Sequence, residues 1–505
     1  MRKKNSIINA IAGILTKFTG LLLGFICRTV FIRRLGYDYL GIYGLFSNIL
    51  MFLSLSELGV GTSIIYLLYK ADVENDTYKK NCLLTFYARV YHIIGCFIIL
   101  AGIVVMPILP WLIKENVFAI AYLQRVFFLQ VLNAAVSYFF SYRSSLIFIK
   151  QKDYLLKFIS FVCNLLCNTM QIVLLNIHAD YCEYLIIQLL FTILNNIVIF
   201  SLSKRMYPEV KIGKEFQVDK DTYRNIKTKV FAMLHHKISG FVTNGTDNII
   251  ISKLIGIIEV GIYSNYFVII SGISGMLDAA MKGVTASLGN YMTQSTNDEV
   301  YKVYKKMDFA FYVINAFCTT CLGVLLHTII ILWLGQESAF PGYIESIIVA
   351  NFYIMIQKKA IFTLRDVGGL FSNDKNAAIV KPIINLIMSL TLGYSVGIVG
   401  VFIGTLISSV VVDVFWMPYM VYKIYFQRDF REYVADYFKK SGIMVLNIIV
   451  LSILCPYIAG NNLNIFQLFA DGFICCLMTM FIIYIFFRSE LKLYASEIKK
   501  IIYER

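Results

Sequence analysis

The sequence predicts an all-α integral membrane protein of about 14 transmembrane helices, two six-helix lobes in parallel pseudo-repeat plus two C-terminal helices. Three observations carry the prediction. Of the 505 residues, 58% are hydrophobic and only 15% charged, with a mean hydropathy of +0.70, whereas soluble domains carry about 25% charge. Apolar runs of about 20 residues, the length a helix needs to cross a bilayer, recur along nearly the whole chain. A turn also comes back. Arg34-Leu35-Gly36 followed by Gly41-Ile42-Tyr43 is echoed by Lys253-Leu254-Ile255-Gly256 followed by Gly261-Ile262-Tyr263, and Gly36/Gly256, Gly41/Gly261 and Tyr43/Tyr263 are each 220 positions apart (256 − 36).

The first apolar segment, about 7–32, holds Lys17 and Arg28 and is closed by Arg33 and Arg34. The second, about 40–68, carries Glu57 near its middle. A charge at the centre of a membrane helix costs about 2.5–3.5 kcal/mol on insertion scales, so it faces a bundle interior or a wet cavity. This opening hairpin therefore lines a polar, net positive interior. Segments at about 82–110, 117–148, 154–176 and 182–203 complete an N-terminal lobe, residues 1–204. The basic inter-lobe loop 205–228, with Lys211, Lys214, Lys220, Arg224 and Lys227, leads to a second lobe, 229–425. Its segments lie at about 229–252, 260–291, 306–334, 341–364, 377–395 and 398–424. Two more, about 440–459 and 464–487, fall in residues 426–505 with a basic tail.

Alternate loops are basic throughout: Arg2, Lys3 and Lys4; Lys70, Lys79 and Lys80; Lys150 and Lys152; Lys302, Lys305 and Lys306; Lys358, Lys359 and Arg365; Lys423 and Arg428. The loops between them offer Lys114 and Lys253. This is the positive-inside asymmetry, and it puts both termini in the cytoplasm. The start resembles a signal peptide, but the apolar segment runs on past Ala10-Ile11-Ala12, so the first helix is expected to be retained.

Arg28, Arg33 and Arg34 fall at the wrong end of the first helix for that rule. Arg33 and Arg34 have the outer headgroups within snorkelling reach, whereas Lys17 and Arg28 sit deeper. Arg89 and His92 lie inside the third segment; His235, His236, Lys237, Asp247, His327 and Asp413 lie in the second lobe. Asp278 and Lys282, one turn apart, can neutralise each other on one helix face. The candidate cationic site is Lys17, Arg28 and Arg89 with Arg33, Arg34 and Lys282, because several fixed cations in a low-dielectric cavity form an anion site and arginine suits phosphate. Glu57, Asp247 and Asp278 are candidate coupling or gating acids. Internal repeats mark transporter folds, with the site where the repeats meet.

Other chemistries find little support. Adjacent His235 and His236 face different ways on a helix, so no metal site is expected, nor any cofactor or catalytic residue. Most of the eleven cysteines lie in apolar segments, Cys318-Thr-Thr-Cys321 included, and read as small buried hydrophobes without a disulfide framework. The net charge of +15 reads as inner loops and attraction to anionic lipid, with no nucleic acid. Short outer loops, nearly free of charge, argue against a membrane glycosyltransferase or polymerase, which needs its acid and base groups outside the bilayer.

Six strings carry a family likeness: Leu35-Gly36 through Gly41-Ile42-Tyr43; Glu57-Leu58-Gly59-Val60-Gly61-Thr62; His236-Lys237-Ile238; Thr246-Asp247-Asn248-Ile249-Ile250-Ile251-Ser252; Val260-Gly261-Ile262-Tyr263-Ser264-Asn265-Tyr266; and Gly397-Ile398-Val399-Gly400-Val401-Phe402-Ile403-Gly404-Thr405. On these the chain resembles the Wzx-type polysaccharide flippases, in the multidrug/oligosaccharidyl-lipid/polysaccharide exporter superfamily. The resemblance implies transfer of an undecaprenyl-pyrophosphate-linked oligosaccharide across a bacterial plasma membrane, for capsule or O-antigen biosynthesis, by two lobes rocking around a cationic cavity. It places Arg28 close to a position where related flippases contact the lipid pyrophosphate. Implied partners are the lipid-linked oligosaccharide, membrane lipid, Na+ or H+ as coupling ion, and a polysaccharide polymerase and glycosyltransferases. The alternative is a cation-coupled multidrug exporter of the same superfamily, a branch with twelve helices and acidic sites.

Overall fold

The computed structural model describes residues 2–492 except 58, 116, 229, 231–244, 293, 370–374 and 460–463, and every regular element among them is helical. Eleven of these helices are long and apolar enough to cross a membrane. They coincide with the expected segments other than the first, second and seventh. The first is one continuous helix, α1 (Arg2–Leu35). Gly36, at φ 94°, then turns the chain into α2 (Tyr37–Leu53), a conformation that costs glycine little. The second segment is not one helix: α2 gives way to a 3-10 turn, Ser54–Glu57, and Gly59 in the left-handed region (φ 80°) opens α3 (Val60–Val73). Most of the seventh segment, with His235, His236 and Lys237, lies outside the described residues; its end is α8 (Asp247–Leu254).

The chain divides into two compact units, 1–264 and 265–505. Unit 1 holds α1 to α3, then α4 (Thr77–Val105), α5 (Ile120–Val136), α6 (Asp153–Ile177), α7 (Tyr181–Met206), α8 and the beginning of α9 (Ile257–Met292). Asp76 caps α4 by accepting from the Lys79 amide (2.8 Å), which satisfies one of the free donors at a helix start. At the ends of α3 and α4, Asp72 takes Lys80 (3.3 Å) and Lys150 (2.8 Å). Residues 207–223 pack back on α4: the Lys211 amide donates to Asn81 Oδ1 (3.0 Å), and Phe86 meets Tyr223 edge to face.

Unit 2 is built around α10 (Asn297–Leu334), which starts in a capping box between Thr296 and Glu299. Its other helices are α11 (Gly342–Gln357), α12 (Lys359–Val367), α13 (Lys375–Val396), α14 (Ile398–Ser409), α15 (Phe430–Ala459) and α16 (Ile465–Phe486). Two π-helical stretches, Val410–Trp416 and Val421–Phe426, follow α14. The last two helices belong to the core of this unit. Lys440 of α15 is buried against Asp308 of α10 and also meets Asp436 (2.9 Å), which takes Lys305 (2.7 Å). Deeper in, Asn447 donates to Thr320 of α10 and Thr479 of α16, both at 2.9 Å.

Candidate functional site

The two copies of the repeated turn meet inside unit 1. A side chain built on Gly41 would overlap the carbonyl of Ile257, and one on Gly261 would overlap the carbonyl of Tyr37. Since Ile257 stands 220 positions after Tyr37 and Gly261 the same distance after Gly41, the contact is reciprocal. That is the signature of a local two-fold relation between the two turns. Only glycine lets the backbones come this close. The start of the second repeat is fastened further by Asn48, which donates to the Gly245 carbonyl (2.9 Å), and by Lys253, which donates to the Trp111 carbonyl (2.5 Å) with its ammonium over that ring (4.3 Å).

Arg28 lies beside this crossing. Its guanidinium donates to Ser264 Oγ of α9, and Ser264 donates in turn to the Gly261 carbonyl (2.7 Å). Tyr37, Tyr43 and Tyr184 place their hydroxyls in its electrostatic reach. An aromatic wall stands next to it: Phe31 packs edge-on to Tyr181 (5.5 Å) and Tyr184 (5.2 Å), and Tyr181 accepts from Gln130 (2.8 Å). A half-buried guanidinium with hydroxyls and ring faces around it has the chemistry to hold an oxyanion and a polar, ring-bearing substituent.

The other basic residues of the predicted set are not joined to Arg28 by any contact among the described residues. Arg33 and Arg34 are exposed, and Arg34 donates twice to Asn176 Oδ1 of α6 (2.8 and 3.2 Å). Arg89 is exposed on α4. The side chains of Lys17 on α1 and Lys282 on α9 lie outside the described ones.

Each predicted acid has a defined setting. Glu57 sits where the second segment breaks and accepts from Tyr91 on one oxygen and from Tyr138 on the other (2.9 Å), with Tyr87 donating to Tyr91 (2.9 Å). A side chain at Gly61 would come within 2.8–2.9 Å of the Tyr91 and Tyr87 hydroxyls, so the glycine makes room for this chain. An unwound helix carrying a carboxylate is a usual ion or substrate station in transporter folds. Asp247 is buried at the start of α8, near Tyr263. Asp278 on α9 pairs with Lys359 of α12.

Unit 2 also holds charged groups that sequence reasoning placed elsewhere or passed over. Lys358, read as an inner-loop lysine, lies instead within the span Gly342–Val367, at the joint of α11 and α12. It donates to Asp413 Oδ2 (2.7 Å), as does Lys381 of α13 (2.5 Å). The reason is simple: Lys358 falls near the end of the expected segment 341–364, where hydropathy leaves loop and span open, and only packing shows that it turns inward. Glu345 is likewise buried, accepting from Tyr266 (2.6 Å) and facing His327 Nδ1 (3.1 Å).

No family model matches the sequence, and no curated protein matches it. Solved structures do. The chain is similar to "Lipid II flippase MurJ, inward closed conformation" at TM-score 0.67 and 12% identity, over 96% of this chain and 100% of that one. It is similar to an inward-facing "multidrug resistance MATE family transporter of the MOP superfamily" at TM-score 0.58 and 16% identity, over 79% of this chain and 93% of that one. A MATE structure in complex with MaD3S aligns at TM-score 0.53 and 14% identity, over 83% and 95%. At such identities the likeness defines the fold alone: this is a multi-pass helical membrane protein with the fold those proteins share.

Proposed function

We propose that the protein is a flippase for an undecaprenyl-pyrophosphate-linked oligosaccharide, working by alternating access in a bacterial plasma membrane with both termini in the cytoplasm, in capsule or O-antigen biosynthesis. The observation that carries this reading is Arg28, a guanidinium within an apolar segment, bonded to Ser264 and set among Tyr37, Tyr43 and Tyr184. Its insertion cost makes sense if it meets a multivalent anion during the cycle. The fold supports the same class, as the flippase neighbour aligns over its full length. In this reading Arg28 takes the pyrophosphate, the tyrosines receive sugar hydroxyls, and the Gly41/Gly261 crossing separates when access alternates. Lobes of 1–204 and 229–425, with 426–505 added, remain the proposed moving parts, and a polymerase and glycosyltransferases the proposed pathway partners.

The test is the accessibility of lipid-linked oligosaccharide on the outer leaflet of cells carrying wild-type protein or Arg28→Ala. We expect at least a tenfold drop in the variant at unchanged protein level, with precursor accumulating inside, and partial recovery in Arg28→Lys. Equal exposure in wild type and Arg28→Ala at equal protein level would remove Arg28 from the substrate site.

A second reading, a cation-coupled multidrug exporter, is favoured by Glu57, whose carboxylate at a helix break could take a proton or Na+. Resistance to cationic dyes on overexpression, lost in Glu57→Gln, is its expected signature.

A further inference from the structure

In unit 2, Lys358 and Lys381 both donate to one oxygen of Asp413. The carboxylate side chain is 3% exposed, the lysines 23% and 12%. Two ammonium groups against one carboxylate leave one positive charge in excess among the described residues, inside a span of a membrane protein. Among the described residues, other carboxylates of this unit have cations of their own: Asp278 takes Lys359, and Asp308 and Asp436 share Lys440 and Lys305. The Lys358 ammonium also lies over the Phe362 ring at 5.1 Å, which softens the excess without cancelling it. Burying an unpaired charge is costly, so a fold with no use for the second lysine would be more stable without it.

The geometry favours a ligand over a structural excess. Both ammonium groups touch the same oxygen, so they are no farther apart than the two hydrogen bonds laid end to end. Each keeps two further N–H donors, and it is the lysines, not the aspartate, that retain exposed surface. Asp413 therefore acts as a buried post that holds two cations side by side. It is placed there by the π-helical stretch Val410–Trp416, a distortion that recurs at functional sites because it re-aims side chains.

We propose that Lys358 and Lys381, gathered by Asp413, form a second anion subsite that takes a phosphate-type group. It is separate from Arg28, and only its assignment to a transported lipid rests on the flippase reading. Lysine binds phosphate as a compact point charge, and two of them at this spacing match neighbouring oxygens of one phosphate or of a diphosphate.

The experiment uses the full-length protein in lipid nanodiscs, in an Arg28→Ala background so that the unit 1 guanidinium contributes nothing. Binding of inorganic pyrophosphate and of geranylgeranyl diphosphate is measured alongside the thermal unfolding midpoint. We expect saturable binding in this background, about tenfold weaker with Lys381→Met added, and retained with Lys381→Arg. The ligand-free midpoint of the Lys381→Met protein should equal or exceed that of its parent, because one lysine and one aspartate now balance. Binding that needs the prenyl chain identifies a lipid headgroup; equal binding of both probes identifies free diphosphate. Binding unaffected by Lys381→Met overturns the subsite. So does binding absent from the Arg28→Ala background, which leaves the Arg28 reading standing. A midpoint several degrees lower in Lys381→Met assigns the lysine to holding the fold and overturns the proposal as well.

Discussion

Charged side chains on apolar helices are the residues the sequence exposes most readily. Arg28 and Glu57 stood out because each interrupts an apolar run, and the structure gives both of them hydroxyl partners. The partners themselves were not legible. Ser264, Tyr91 and Tyr138 are ordinary neutral residues, and Ser264 is 236 positions from Arg28. At Glu57 we expect Tyr138→Phe to cost about 1 kcal/mol of stability, since one hydroxyl is lost while Tyr91 still donates. Glu57→Ala should cost more, about 1–3 kcal/mol, because two donors, the buried Tyr91 and the half-buried Tyr138, then lose their acceptor. Thermal unfolding of the purified variants measures both, and the order Glu57→Ala below Tyr138→Phe is the decisive outcome. At Lys440, Lys440→Met strands Asp308 and half of Asp436's partners, so a loss of about 3–5 kcal/mol is expected. Lys305→Ala removes a partly exposed pair while Asp436 keeps Lys440, and should cost less, which the same measurement compares directly.

At the level of elements, the repeated Gly-Ile-Tyr turn was visible as a spacing of 220 residues, yet nothing in the spacing said that the two copies touch. They touch because both glycines remove the one carbon that would collide with the opposing carbonyl. Gly41→Val and Gly261→Val should therefore each push the turns apart, lowering the unfolding midpoint and reducing transport. Gly44→Ala is the control, because its added carbon would lie 3.2 Å from Val260 Cγ1, a side chain that can shift. Similar losses in all three variants would mean that helix packing in general, and not the reciprocal crossing, is what they report. The broken second segment is the other event at this scale. Its apolar length reads as one span, and the break at Ser54–Glu57 shows only through Gly59, whose positive φ starts a new helix.

Across the whole chain, the helices after residue 426 looked like an addition to a repeated core. In the structure α15 and α16 supply part of the interior of unit 2: Asn447 bonds α10 and α16 at once, and Lys440 neutralises Asp308. A chain ending at 427 leaves Asp308 buried without its lysine, and exposes the faces of α10 that carry Thr320 and Tyr312. We expect such a truncation to fail to accumulate in membranes. Co-expression of residues 428–505 as a separate segment should restore it in part, since the missing groups are then supplied in trans. Accumulation of the truncated chain at wild-type level would show that unit 2 folds without them.

The sequence alone determined that this is a helical membrane protein, where nearly all its spans run, and that fixed charge is carried inside them. Those are local properties: hydropathy over about 20 residues and a charge within it are read without knowing any neighbour. Tertiary structure decided which charges pair and which are left over. Arg28 chose Ser264, Asp278 took Lys359 of another helix, and Asp413 gathered two lysines from two other helices. Pairing over tens to hundreds of residues depends on how helices are rotated and packed. A rotation of one residue, about 100°, turns a side chain from lipid to interior without changing the hydropathy of the segment.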